Sequence, residues 1–146
     1  MTSVDEILTA VFKVLDADLT LQGATYLNGT DKIEKNTRRK ENFVNPTVTM
    51  KTGGTGIDME IKVQDATVYV NVFVDNNTNG TANTSKLSRI AKRIESLLDD
   101  TNLTISGSRV FNCFLTAPHS GPYFDQSFPD EHYVSSVFRI QIIDLT

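Results

Sequence analysis

Few side chains in this sequence are suited to making or breaking bonds. The histidines are His119 and His132, and Cys113 is the lone cysteine. A nucleophile needs a base within reach, which leaves a Cys–His pair as the available combination. Cys113 falls inside Arg109–Ala117, RVFNCFLTA, where apolar neighbours disfavour a thiolate and predict a buried, inert thiol. A metal would have to be gathered from His119, Asp125, Asp130, Glu131 and His132, whose spacing matches no closed ligand set. The glycines of Thr52-Gly-Gly-Thr-Gly56 are not followed by Lys-Ser/Thr or a helix start, so they predict a hairpin turn rather than a phosphate loop. The residues therefore predict no catalysis, no metal and no cofactor.

Binding chemistry is better represented. Residues 28–42, NGTDKIEKNTRRKEN, form a polar arm or long loop carrying Lys32, Lys35, Arg38, Arg39 and Lys40 against Asp31, Glu34 and Glu41. It reads either as a solvated loop or as a contact for an acidic surface or for phosphates. No aromatic residue interleaves with these cations, as single-strand readout would require. A second basic set, Lys86, Arg89 and Arg93, recurs at near-helical spacing and is either a solvated flank or a binding face. Tyr123, Phe124 and Phe128 sit in 118–132, expected to be an irregular loop. There they either meet a partner or fold back over the core.

These residues need a scaffold, and the stretch Thr67–Asp100 supplies its centre. Val68, Val70, Val72 and Val74 alternate with Thr67, Tyr69, Asn71 and Phe73, which predicts a strand. After the polar loop NNTNGTANTS the period changes. Leu87, Ile90, Ala91, Ile94, Leu97 and Leu98 then fall on one arc of a helix over 85–98, capped by Asn83 or Thr84. Cations in its first turn and Asp99-Asp100 in its last oppose the helix dipole, so packing must hold it.

Ser3 with Glu6 fits a capping box, and Ile7, Leu8, Val11, Val14 and Leu15 mark a first helix that ends at Asp16-Ala-Asp18. A short apolar turn with Leu19 and Leu21 precedes Gly23, and 24–27 reads as a short strand. Strands are further expected at 43–51, at 57–64 with a turn at 64–66, at 102–105, at 109–117 and at 133–144. Pro46 places the first of these at an edge or a bulge. The strand 109–117 is apolar on both faces and should lie inside the sheet with few solvated positions. The fold class that follows is α+β, a mostly antiparallel sheet with two main helices packed on one face and an extended polar arm.

The 146 residues suit one domain, 1–146, and 39% hydrophobic with 22% charged residues is an ordinary globular composition. A net charge of −4 argues against a wholesale nucleic-acid binder, though not against a local basic patch. No secretory signal or membrane span is evident, and one cysteine fits a reducing compartment. The Asn-X-Ser/Thr sequons at Asn28, Asn76, Asn79, Asn83 and Asn102 are accordingly expected to be unmodified.

The order of elements resembles the tail-terminator and tail-completion proteins of long-tailed bacteriophages. VDEILTAVFKVLDADLTL is similar to that family's opening helix, and ATVYVNVFVD with SKLSRIAKRIESLLDD to its strand–loop–helix centre. DEHYVSSVFRIQIID is similar to its closing strand. The resemblance implies a structural virion protein of the tail or neck, made in the host bacterial cytoplasm. Its subunits would form a ring, commonly a hexamer, that caps the tail tube and joins it to the head or neck. Implied partners are other copies of the chain, the tail tube protein, a head-completion or neck protein, and genomic DNA passing through the lumen without sequence-specific binding. No catalytic residues carry over. A head–tail connector or stopper ring, and a small nucleic-acid-binding module using the basic arm, remain as alternatives.

Overall fold

The structure, a computed structural model, describes residues 3–25, 42–55, 61–105, 109–126 and 129–145, with backbone alone at 51–55, 61–63, 109 and 143–145. The elements run α1 (Val4–Asp16), β1 (Phe43–Thr55), β2 (Ile61–Asp75), α2 (Thr84–Leu98), β3 (Thr101–Ile105), β4 (Arg109–Phe124) and β5 (Glu131–Leu145). The five strands form one antiparallel sheet in the order β1-β2-β5-β4-β3. Both helices pack on the same face, making an α+β fold. The polar arm, except Asn42, lies outside the described residues.

α1 begins as its sequence requires. The Ser3 hydroxyl accepts the Glu6 N–H (3.3 Å), and the Glu6 carboxylate accepts the Ser3 N–H (3.2 Å), closing the capping box. Ile7, Val11 and Leu15 are wholly buried on its inner face, and each large apolar side chain so buried contributes roughly 1.5–3 kcal/mol. α1 touches both β1 and β3, the two outermost strands, while α2 lies on β2, β5 and β4. The sheet therefore curls around the helices, and α1 sits between its two edges. Of the apolar turn after α1, Leu21 is buried but Leu19 is 85% exposed. Of the short strand expected at 24–27, Thr25 makes a parallel bridge to Val44, and 26–27 lie outside the described residues.

The alternation in β2 resolves the two faces. Val68, Val70, Val72 and Val74 are buried beneath the helices with Val134, Phe138, Ile140 and Ile142 of β5. On the opposite face Phe43, Phe73, Tyr133 and Tyr123 form a cross-strand aromatic row with ring centroids 4.4, 4.9 and 5.4 Å apart. The rest of that face is more open, with Tyr69, Val110 and Phe114 exposed.

Several expectations are corrected. Residues 64–66 are not a turn: β2 runs unbroken from Ile61, because β1 and β5 pair with it on both sides at Gln64, Asp65 and Ala66. Gln64 and Ala66 are buried, and Asp65 accepts a bond from Arg139 (2.8 Å). Thr52–Thr55 belong to β1, paired with Ile61–Gln64. Residues 57–60 of the strand expected at 57–64 lie outside the described residues. Among the described residues β4 is an inner strand only over Arg109–Cys113, where β3 pairs with it. Its outer face is solvated there, with Val110 54% exposed.

Nor is 118–124 a loop. β4 continues through Pro118 and Pro122 to Phe124, with register shifts between Leu115 and Tyr123 that absorb residues the ladder cannot pair. Gly121 (φ 115°) is required in this stretch, since a Cβ there would lie 3.0 Å from the Tyr133 carbonyl oxygen.

Pro46 proves to mark an edge. The Val44 N–H points away from β2 to the Ala24 carbonyl (2.9 Å). Pro46, two residues on, shares that outward orientation and forfeits no bond to β2.

Candidate interaction site

α2 brings polar side chains together on two outward flanks. Its cap is Asn83, whose side-chain oxygen accepts the Lys86 N–H (3.2 Å). Burying Leu87, Ala91, Ile94 and Leu98 against the sheet turns two different flanks outward.

One flank faces β4. Beyond Cys113, β4 has no strand neighbour on its outer side among the described residues, so its outward N–H groups need other acceptors. Carboxylates of α2 and its C-terminal exit supply them. Glu95 Oε1 accepts the His119 N–H (2.6 Å), and Asp99 Oδ1 accepts the Leu115 N–H (2.9 Å). Nearby, where β3 still pairs with β4, Asp100 accepts from the side-chain amide of Asn112 (3.0 Å). Acids that oppose the helix dipole thus serve the sheet edge.

Glu95 Oε1 also accepts from Ser136 (3.2 Å) and lies 3.1 Å from His119 Nδ1. An ionised carboxylate only accepts, so Nδ1 carries the proton. In the neutral ring Nε2 is then the acceptor for the Ser88 hydroxyl, 3.3 Å away. Ser88, His119 and Glu95 have the connectivity of a hydrolase triad. Ser88, however, stands in mid-helix, where the neighbouring N–H groups donate within the helix and none is aimed at an oxyanion. The arrangement fits a clamp between α2, β4 and β5.

The other flank faces away from the sheet. Arg89, Lys92 and Arg93 are exposed there, at the i, i+3 and i+4 spacing of one helix face. With Thr20, Ile90 and Ser96 they line a groove of about 400 Å³ whose surface is almost wholly carbon. Arg93 donates through Nε (2.8 Å) and Nη2 (2.5 Å) to Asp18 Oδ2. Asp18 Oδ1 accepts the Thr20 N–H (3.0 Å) and its hydroxyl. The Thr20 hydroxyl first, and the Arg93 guanidinium second, hold the Asp18 carboxyl down at about 2.

Of the residues expected to meet partners, Arg89 and Arg93 lie together in this groove. Lys86 is half-buried in the first turn and already engaged in an interaction of its own. Tyr123 (43% exposed) and Phe124 (56% exposed) stand at the far end of β4. Tyr123 donates to Ser120 (2.9 Å), and the Phe124 ring lies 5.7 Å from that of His132. Lys32, Lys35, Arg38, Arg39, Lys40 and Phe128 lie outside the described residues. Cys113 is buried, and desolvation first, with the Asp99 charge second, raises its thiol to about 12. His132 meets Asn76 (2.6 Å) and not the thiol or His119.

Lys92 completes the basic face, and its spacing from Arg89 was a legible signal. Thr20 and Asp18 carried none, because they reach the site from another element. Neither a protein-family model nor a curated protein matches this chain.

Proposed function

We propose that this protein is a structural virion subunit of the tail-terminator kind. In this reading copies of the chain close into a ring, commonly a hexamer, that caps a phage tail tube and joins it to the head or neck. DNA passes through the lumen without being read. The observation that carries the reading is the inequality of the sheet's two edges. One is β1, a long edge strand. The other is the short β3 with the part of β4 that outruns it, where Glu95 and Asp99 accept two outward N–H groups before the strand reaches exposed Tyr123 and Phe124. Unlike edges on one subunit favour head-to-tail contacts, which generate rings when the rotation closes. The sequence resemblance of both helices and the closing strand supports the same reading. A head–tail connector or stopper ring would use the same surfaces, and binding to the tube separates the two.

A nucleic-acid-binding module is the second reading, favoured by the outward cations Arg89, Lys92 and Arg93. It predicts binding that weakens steeply with salt.

The deciding experiment is light scattering on a sizing column across concentration, with and without tail tube protein. A closed oligomer, or a monomer that forms rings on adding tube protein, supports the terminator reading. A monomer under every condition overturns it.

A further inference from the structure

We infer that the groove on the outer flank of α2 is a docking site for an acidic, amphipathic protein segment that inserts one large apolar side chain over Ile90. The inference is independent of ring formation, since a monomer would bind in the same way.

Two features specify the occupant. The first is the floor: Ile90 is half-buried, and the aliphatic stems of Arg89, Lys92 and Arg93 together with Thr20 leave the groove lined by carbon. Leu19, beside Thr20 in sequence, is 85% exposed. Water gains little from such a lining, so an apolar anchor is favoured. The second is the rim. Arg89, Lys92 and Arg93 stand along it, and Asp18 offsets one of these charges. The surplus positive charge is local, because the chain as a whole carries −4. A partner must therefore be acidic, and charge complementarity also sets its orientation.

A phosphate backbone satisfies the rim but offers nothing to fill the floor. A helix with Leu or Phe at i, i+3/i+4 and i+7, flanked by Glu, satisfies both. Asp18 accepts from two of the Arg93 nitrogens, Nε and Nη2, which holds the guanidinium in place and leaves its remaining N–H donors for a partner.

The test is titration of the ¹⁵N-labelled full chain with a synthetic helical peptide carrying leucines on one face and glutamates on its flanks. Two controls accompany it: the same peptide with serine for leucine, and an oligothymidylate. The expected result is saturating amide shifts at Leu19, Thr20 and 89–96. The serine peptide should bind about tenfold more weakly. The variant with Arg89→Glu and Lys92→Glu should bind the leucine peptide at least about tenfold more weakly. Its remaining spectrum, unchanged, reports an intact fold. Absence of saturating shifts overturns the inference, as does equal binding of the serine peptide. Tighter binding of the oligothymidylate at the same residues overturns it in favour of a nucleic-acid surface.

Discussion

The two outward flanks of α2 make a useful contrast, because they belong to one helix and were built by the same periodicity. Toward β4 the side chains are Ser88 and Glu95, with Asp99 and Asp100 at the exit, and each meets a named partner on the strand. Away from the sheet stand Arg89, Lys92 and Arg93, of which Arg93 meets Asp18. The first flank spends its polarity inside the molecule; the second keeps much of it for solvent or a partner. The difference comes from what lies opposite. An uncovered strand edge presents N–H groups whose desolvation must be offset, and a carboxylate is the strongest acceptor available. The turn after α1 presents one acid and otherwise carbon.

The contrast is broken most severely at Glu95. Glu95→Ala leaves the His119 N–H, His119 Nδ1 and Ser136 hydroxyl without their acceptor, at an expected cost of about 2–3 kcal/mol in urea unfolding. Glu95→Gln keeps an acceptor oxygen and should lose less. If the two variants were equally destabilised, charge rather than edge satisfaction would be the function of this residue.

Asp99→Ala removes the acceptor for the Leu115 N–H at an exposed position, where water replaces it, and should cost about 1 kcal/mol. Hydrogen exchange at the Leu115 amide is the sharper readout, and it should accelerate in this variant while amides of β2 stay protected.

On the outer flank the link to break is Asp18. Its carboxyl is held at about 2, below its ordinary 3.8. A depressed carboxylate contributes stability that is complete above the ordinary value and is lost as pH falls through the lowered one. The wild-type chain should therefore lose stability between about pH 4 and pH 2 through this group, and Asp18→Asn should lack that component of its acid-unfolding curve. Equal acid sensitivity in the two proteins would remove the linkage.

The smallest effect is expected at Arg89→Glu. This exposed cation has no ion pair among those described, so its reversal should change stability by no more than about 0.5 kcal/mol while weakening any acidic partner. A large loss of stability would show that the outer flank, like the inner one, is structural.

Much of this division was written in local pattern. The capping box at Ser3 and Glu6, the apolar arcs of both helices and the alternation of β2 depend on residues a few positions apart, where propensity and periodicity act directly. The same local logic misjudged β4. Pro118, Gly121 and Pro122 signal a break, yet pairing with β5 carries the strand across them by shifting register. It likewise saw a turn in Gln64-Asp65-Ala66, where ladders on both sides keep the strand extended. Asp99 and Asp100 read as ill-placed charges because their β4 partners were not visible from the helix.

The sequence by itself determined the α+β class, which segments are helical, which face of each is apolar, and the presence of a basic stripe on α2. Tertiary structure alone decided that Glu95, His119 and Ser88 converge, that Asp18 reaches Arg93, and that Thr20 closes one side of a groove. The reason is range. Periodicity is a property of adjacent turns, whereas these contacts join residues up to 75 positions apart and exist only once the sheet has curled around its helices.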